Sequence, residues 1–294
     1  MSLRPVQTAP PGNGQSSRTG RARTKAGKYA TTASLFLVAV ACIYPIVFTA
    51  LNAFKTRNEY ARNPLALPSS LGIDNYREVL ARIELPQLLL NSAIATLGGV
   101  LLTVGIGFLA AFAITSIEFP GAKLILILII ATLAIPSQAI IFPLFEVMRI
   151  LDFTGEYQGL ILSYASFGLP LCVYLLAAYM QSLPTDIVDA ARVDGAGHLR
   201  IMAHIMFPIA MPAVAELVIL NFVWMWNDLL LPLVIMGGSG KTTLMVGVAR
   251  LSGQYDISVP LISAGLVIAL VPVLLVYLVF QRMIIGGAMA GAIK

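Results

Sequence analysis

The stretch with the clearest chemical suggestion in this chain is Gly238–Thr243, which reads GSGKTT. Glycine amides and a lysine in this order bind phosphate groups in nucleotide-binding proteins, so an ATPase is the first hypothesis to weigh. The full motif needs a further glycine five residues before Gly240, and Ile235 occupies that position. The motif also connects a β-strand to a helix, whereas this stretch follows a long apolar run. We therefore predict a flexible loop that binds no nucleotide.

Side chains able to ligate a metal or act as nucleophiles are scattered. His198 and His204 are six residues apart, an interval that places them on different faces of a helix, and no HExxH motif accompanies them. Cys42 and Cys172 each lie alone in an apolar run, where thiols behave as small apolar side chains. We predict no catalytic residue, no metal site and no bound cofactor in this chain.

A polar stretch between two apolar runs is more informative; Asp189–Pro212 reads DAARVDGAGHLRIMAHIMFPIAMP. Charged side chains recur three residues apart on one helical face, at Asp186, Asp189 and Arg192. Gly195 and Gly197 then break the helix and permit a left-handed turn. The small residues around this turn would let a partner backbone approach closely. An amphipathic helix at the membrane surface would explain the same pattern without a partner.

Apolar side chains dominate the elements that must hold these residues. Hydrophobic residues make up 58% of the 294-residue chain and charged residues 11%, against about 25% charged in soluble domains. A helix needs about 20 apolar residues to cross a bilayer. Six runs meet this requirement and predict an all-α membrane protein with six transmembrane helices: Thr31–Leu51, Leu88–Ile114, Leu124–Met148, Leu160–Met180, Ala213–Met236 and Ser258–Gln281.

The N-terminal residues 1–30 are predicted to form a disordered, basic tail. Six cations precede the first span without an acidic residue among them: Arg4, Arg18, Arg21, Arg23, Lys25 and Lys28. Positive charge in this position marks the cytoplasmic side and suits anionic lipid rather than nucleic acid. Six spans then place both termini in the cytoplasm. Residues 31–285 are the predicted membrane domain with a cytoplasmic loop at 181–212, and residues 286–294 are a cytoplasmic tail.

Five polar or aromatic side chains inside the predicted spans are candidates for a solute path. Polar groups are costly in lipid, so they usually face the interior of a helix bundle. Amide and carboxylate groups suit hydrogen bonds to hydroxyl groups, and an indole ring offers an apolar platform. The candidates are Gln138, Asn221, Trp224, Asn227 and Asp228. Hydrogen bonds between helices would explain the same residues without a solute.

The spacing of Asp-Ala-Ala at 189–191, Asp-Gly-Ala at 194–196, Ile205, Pro208 and Pro212 resembles the EAA loop of ABC importer permeases. Shorter matches extend this resemblance along the chain: Phe54-Lys55-Thr56, Asp74-Asn75-Tyr76, Asn91-Ser92 and Trp226-Asn227-Asp228. They are similar to carbohydrate importer permeases of the maltose type, in particular to the shorter, MalG-type half of the permease pair. The resemblance implies the MetI-like, type I ABC importer permease fold.

In that family the EAA loop forms a short helix that docks into a cleft of a cytoplasmic ATPase. The resemblance implies ATPase contacts at eight positions: Asp189, Ala190, Ala191, Asp194, Gly195, Ala196, Ile205 and Pro208. It also implies a bacterial inner membrane location and three kinds of protein partner. These are a homologous MalF-type permease subunit, two ATPase subunits that use ATP and Mg²⁺, and an extracytoplasmic solute-binding protein.

The predicted function is the import of a carbohydrate, with ATP hydrolysed by partner chains and no covalent chemistry in this one. An ABC permease for an amino acid or peptide is an alternative that the maltose-type motifs disfavour. An ion-driven secondary transporter is a second alternative. It lacks a relay of charged side chains through the span centres, and it does not account for the EAA-like stretch.

Overall fold

The computed structural model describes the backbone of residues 17–117, 119–184, 186–253 and 257–291, with side chains between residues 27 and 281. Helices are the only regular elements in these ranges, which confirms the predicted all-α class. In chain order they are α1 (Ser17–Asn52), α2 (Arg57–Arg62), α3 (Asp74–Arg82), α4 (Leu85–Ser116), α5 (Ala122–Ala131), α6 (Ser137–Ile150), α7 (Tyr157–Gln181), α8 (Asp186–Val193), α9 (His198–Ile201), α10 (Phe207–Asn227), α11 (Leu230–Ile235), α12 (Leu244–Ala249) and α13 (Val259–Gly291). A 3-10 turn at Thr132–Ala134 follows α5, and a π-helical turn at Met202–Met206 joins α9 to α10.

Five helical stretches of the described chain are long and apolar enough to cross a membrane: Gly27–Asn52, Leu85–Ser116, Tyr157–Gln181, His198–Asn227 and Val259–Gln281. A sixth element, α5 followed by α6, passes the same test only as a bent pair. The protein is therefore a multi-pass membrane protein. The predicted number of six spans holds if the bent pair counts as one.

The third predicted span, Leu124–Met148, is wrong as a continuous helix. Its halves, Ala122–Ala134 and Ser137–Ile150, meet at an angle of 106°. Pro136 has no N–H to continue the helix, and proline disfavours helical backbone in the residue before it. Ile135 is accordingly extended, with φ −85° and ψ 122°. The bend at Pro136 is thus close to a right angle.

The fifth predicted span, Ala213–Met236, is displaced along the chain, because the helix runs from His198 to Asn227. Pro208 lies in the first turn of α10, where a missing N–H is tolerated. The π-helical turn before it is closed by the N–H of Phe207, which donates to the carbonyl of Met202. The predicted loop 181–212 is therefore mostly helical, since only residues 182–184 and 194–197 of its described part are not.

Asp228 ends this span earlier than predicted. Its backbone is extended, with φ −71° and ψ 135°. Its carboxylate accepts the N–H groups of Leu230 at 3.2 Å and Leu231 at 3.2 Å, and so starts the short helix α11. Residues 229–236 belong to this separate element and do not continue the membrane helix.

Small residues let α4 and α7 pack at very short range. A Cβ atom on Gly98 would lie 2.6 Å from Cδ1 of Ile161, and one on Gly107 would lie 2.5 Å from Sγ of Cys172. No side chain fits at such distances without displacing its neighbour. The same closeness between helices is common in membranes, where dispersion forces between backbones replace the hydrophobic effect.

Helix α1 belongs to a compact unit of its own that ends at Leu51, and residues 52–294 form a second unit. The helix extends into the predicted disordered tail, because residues 17–30 are helical; residues 1–16 lie outside the described residues. Alanine, arginine and lysine favour helix, and the adjacent apolar span supplies the helical nucleus. At the other end, α13 continues to Gly291 through the predicted start of the C-terminal tail at residue 286. Residues 292–294 lie outside the described residues.

Candidate functional site

Helix α8 lies beside the C-terminal ends of α4 and α7. A cavity of about 390 Å³ separates the three elements and is lined by residues of each, among them Ser116, Gln181 and Arg192. The inner face of α8 is apolar, since Ala191 is buried and Ile187 and Val188 are half-buried. The opposite face presents Asp189, Ala190 and Val193 to solvent, and Val193 is 88% exposed. Helix α8 is thus fixed on one side and accessible on the other.

A left-handed turn at Gly195 ends this helix, as the sequence predicted. Gly195 has φ +79°, a region that side chains disfavour. The N–H of Ala196 donates to the carbonyl of Ala191 at 2.9 Å, and the N–H of Gly195 donates to that of Arg192 at 3.0 Å. These two bonds are the Schellman arrangement that satisfies the last carbonyls of a helix. Gly197 is extended, with φ −72°, so Gly195 alone supplies the left-handed turn.

Asp189 has a charged partner within the same helix. Nη1 of Arg192 lies 3.2 Å from Oδ1 of Asp189, and Nη2 of Arg192 donates to the backbone carbonyl of Ser116 at 2.6 Å. The structure gives the carboxylate of Asp189 a guanidinium one helical turn away. The ATPase contact that the resemblance implies at Asp189 stays a prediction.

The eight predicted contact positions divide into an exposed group and an inner group. Asp189, Ala190, Asp194, Gly195 and Pro208 are exposed, whereas Ala191 is buried, and Ala196 and Ile205 are half-buried. Ile205 lies in the π-helical turn and packs against the core of the second unit. The inner group therefore holds the segment 186–208, hereafter the α8 segment, while the exposed group is available to a partner.

A second cavity, of about 550 Å³, lies at the bend between α5 and α6 and faces α7. It is hereafter the bend cavity. Gln138 lines it, together with hydroxyl and aromatic side chains from three elements: Thr132, Ser137, Ser166 and Phe167. Trp224 lies behind Phe167, with ring centroids 6.4 Å apart and nearly perpendicular planes. The cavity thus combines hydrogen-bonding groups with an aromatic wall.

The other three predicted path residues do not line the bend cavity. Asn221 is buried and donates to the carbonyl of Leu217 in its own helix at 2.9 Å. Asn227 is exposed at the end of α10 and donates to the carbonyl of Val223 at 2.7 Å. Asp228 is the cap of α11 described above. The hydrogen bonds of these three residues lie within one helix or at its end. None of these bonds joins two membrane helices, whereas the alternative explanation had expected such bonds.

The second unit therefore carries an exposed small-residue helix at one end of a membrane bundle and a polar cavity at a broken span. A family model described as binding-protein-dependent transport system inner membrane component matches residues 103–286, more than half of the chain. The chain belongs to this family. The match includes both the α8 segment and the bend cavity.

Two relatives of this inner membrane component that match most of its length carry names that refer to sugars. The diacetylchitobiose uptake system permease protein of Streptomyces coelicolor is 34% identical over 264 residues, covering 89% of this chain and 87% of that protein. The trehalose/maltose transport system permease protein of Thermococcus litoralis is 31% identical over 261 residues, covering 88% and 94%. These matches confirm the predicted resemblance to carbohydrate importer permeases of the MalG type.

The fold of this family is also found in a solved structure. A chain of a bacterial ABC transporter that imports the acidic polysaccharide alginate matches 90% of this chain and 98% of its own length, with a TM-score of 0.72 and 22% identity. This similarity confirms the predicted ABC importer permease fold.

The GSGKTT stretch of this inner membrane component is held at the opposite end of the bundle from α8. Nζ of Lys241 lies 2.5 Å from Oε2 of Glu156 and 5.4 Å from the ring centre of Tyr157. Nδ2 of Asn91 donates to the carbonyl of Thr242 at 2.8 Å, and Oδ1 of Asn91 accepts the hydroxyl of Tyr157 at 2.6 Å. The described contacts therefore join this loop to the starts of α4 and α7.

Lys241→Ala should leave transport and the ATPase rate of the complex close to wild type. The lysine and its partner are about a third and a half exposed, and ion pairs of this kind contribute about 0–1 kcal/mol. Glu156→Gln is the matched control, because it removes the same pair from the other side. Binding of a fluorescent ATP analogue to the purified chain checks the nucleotide hypothesis. Binding to wild type that Lys241→Ala abolishes and Glu156→Gln retains would make this loop a nucleotide site.

The contacts that sequence reasoning missed in this inner membrane component involve residues without a distinctive local pattern. Ser166 and Phe167 lie in α7, far along the chain from Gln138, and only the bend at Pro136 brings them to one cavity. Ser116 contributes a backbone carbonyl, which no residue type can signal. Pro136 was the one of these features that the sequence could have connected with the cavity. Nothing in the sequence indicates the contact with Ser116.

Proposed function

We propose that this chain is the permease subunit of a type I ABC importer that moves a carbohydrate across the bacterial inner membrane. Relatives named for diacetylchitobiose and for trehalose and maltose match it over most of its length. A MalF-type permease, two ATPase subunits and an extracytoplasmic solute-binding protein complete the transporter. ATP and Mg²⁺ belong to the ATPase subunits, and this chain forms part of the sugar path.

The observation that carries the coupling role is the exposed surface around Gly195. Val193 is 88% exposed and Leu199 is 77% exposed, and they lie on either side of the turn between α8 and the helix His198–Asn227. Ala190 and Gly195 belong to the same surface, and neither has a bulky side chain. An apolar and small-residue surface on a structured turn favours a protein partner over water. In the proposed transporter that partner is an ATPase subunit, and Asp194 offers it an exposed carboxylate.

Co-purification and uptake together test this function. The tagged chain, expressed with the partner genes of its transport system, should carry ATPase subunits through detergent purification. Proteoliposomes that contain this complex and the solute-binding protein should then take up a labelled sugar from a panel of diacetylchitobiose, trehalose and maltose, with ATP required. Uptake of methionine in preference to every sugar would favour the non-sugar permease, and uptake without ATP would favour a secondary transporter.

The proposed orientation places the α8 segment in the cytoplasm and the GSGKTT loop, Gly238–Thr243, outside the cell. Within residues 52–294, α8 lies beside the C-terminal ends of α4 and α7. The GSGKTT loop contacts the starts of the same two helices, which supports placing the two segments on opposite sides of the membrane. Ser239 and His198 are both exposed, so a cysteine at either position is open to reagents. On a background without Cys42 and Cys172, a membrane-impermeant maleimide should label Ser239→Cys in intact cells and leave His198→Cys unlabelled. The reverse pattern would invert the topology and remove the ATPase from the side of α8.

The bend cavity is the proposed contribution of this chain to the sugar path. Gln138→Leu should raise the KM for sugar uptake by about three- to tenfold, because one hydrogen bond to a sugar hydroxyl contributes about 0.5–1.5 kcal/mol. Co-purification of the ATPase should not change. Gln158→Leu is the matched control, since Gln158 is exposed at the start of α7 and does not line the cavity. An equal KM for wild type and Gln138→Leu would exclude Gln138 from the path.

A further inference from the structure

Arg192 joins two elements that are distant in sequence. Its guanidinium bonds with one branch to Asp189 in α8 and with the other to the carbonyl of Ser116, the last residue of α4. Arg192 and Ser116 are 76 positions apart in the sequence. Helix α8 is already linked to α7 through the short segment 182–184. Arg192 adds the corresponding link to α4.

The chemistry of both ends makes this link favourable. The last four carbonyl groups of a helix have no partner within the helix and carry partial negative charge, so a cation beside them is stabilised. A guanidinium also presents two N–H branches in a fixed plane, and it can serve both oxygens at once. The carboxylate of Asp189 accepts a hydrogen bond from the other branch. A lysine has a single ammonium group and cannot reproduce this fixed fork.

We infer that Arg192 is a positioning residue that makes α4 follow the movement of α8 during transport. The inference rests on the proposed function, in which the ATPase acts on the exposed face of α8. The side chain of Arg192 leaves that face and reaches inward to α4. Helix α4 in turn packs closely on α7 through Gly98 and Gly107. A displacement of α8 therefore reaches two membrane spans as a pair, and without Arg192 it reaches α4 only through the side chains on the inner face of α8.

The complete transporter in proteoliposomes provides the test. Labelled trehalose is the first substrate, and it is replaced by whichever sugar of the panel the wild-type complex transports best. Arg192→Met keeps the length and apolar stem of the side chain and removes both hydrogen bonds. It should lower the number of sugar molecules imported per ATP hydrolysed by about tenfold, since bonds to charged groups are the stronger kind. The ATPase subunits should co-purify in wild-type amount, because the exposed positions proposed to contact them, among them Ala190, Asp194 and Gly195, are unchanged. Arg192→Lys should recover part of the ratio.

Arg77→Met is the matched control. Arg77 also faces an aspartate three residues before it, Asp74, in an exposed pair at 3.9 Å, but it has no bond to a second membrane helix among the described contacts. The Arg77→Met variant should import as many sugar molecules per ATP hydrolysed as the wild type. A wild-type ratio of sugar imported to ATP hydrolysed in Arg192→Met would overturn the inference. A loss of ATPase co-purification in Arg192→Met that Arg192→Lys does not relieve would also overturn it, because it would indicate that Arg192 acts on stability alone. Failure of the wild-type complex to couple uptake to ATP would instead refute the proposed function.

Discussion

Replacing Gly195 by valine should abolish uptake while the protein still inserts into the membrane. The φ of +79° at this position costs a residue with a side chain about 1–2 kcal/mol, and a β-branched residue is among the least tolerant. The turn would open, and the two bonds that close α8 would be lost with it. Valine would also add bulk to the surface proposed for the ATPase. Uptake in proteoliposomes and ATPase co-purification measure the two consequences.

Two matched variants separate backbone strain from crowding. A Cβ atom at Gly195 meets no atom of this chain within 4 Å, and the same is true at Gly197, which has no left-handed backbone. Gly197→Val should therefore retain the turn. Gly195→Asn should retain it too, because asparagine tolerates the left-handed region, but it still adds bulk beside the partner. Wild-type uptake and co-purification in Gly195→Val would mean that this turn does not contact the ATPase, and the importer assignment would lose its main structural support.

Asp189→Lys should also preserve insertion, abolish uptake and weaken ATPase co-purification. The pair with Arg192 is exposed, so its simple loss matters little, and Asp189→Asn should remain near wild type. Reversal of the charge has a larger consequence. A lysine at 189 repels Arg192 and competes with it for the carbonyl of Ser116, so α8 changes its position on α4. It also reverses the charge that an ATPase meets on this face.

Asp186→Lys is the control for the change of charge. Asp186 is exposed in the first turn of the same helix, and no ion pair joins it to Arg192 among the described contacts. It should reduce uptake far less than Asp189→Lys. Equal losses in both variants would indicate a general effect of charge on this helix. Wild-type uptake in Asp189→Lys would show that neither Arg192 nor the partner depends on the carboxylate.

The parts of the fold that could be predicted are those encoded by neighbouring residues. Long apolar runs locate most of the membrane helices, and the Asp194–Gly195 pair locates the turn after α8. The same kind of pattern misplaces the fifth span, because hydropathy does not reveal that the helix already begins at His198. Hydropathy also extends the predicted span beyond Asn227. It does not register the end of the helix at Asp228, because that end depends on the direction of the Asp228 carboxylate.

Contacts between distant residues were beyond prediction from one sequence. The spacing of Asp189 and Arg192 indicated a shared face, but the acceptor of the second guanidinium branch is a main-chain oxygen at Ser116. The path candidates show the same limit. Gln138, Asn221 and Asp228 are all polar residues in predicted spans, yet one lines a cavity, one is buried within α10, and one caps a helix.

The right-angled break at Pro136 has a consequence for biosynthesis. The arms of the bent pair, Ala122–Ala134 and Ser137–Ile150, have 13 and 14 residues and are each about 20 Å long, whereas the apolar layer of a bilayer is about 30 Å thick. The translocation machinery recognises a span by its length and apolarity, so neither arm alone provides a complete insertion signal. We expect the nascent chain to hold this element at the translocon until α7 emerges and offers it a surface. Insertion of the third element would then be a late, assisted event, although it precedes α7 in the order of synthesis.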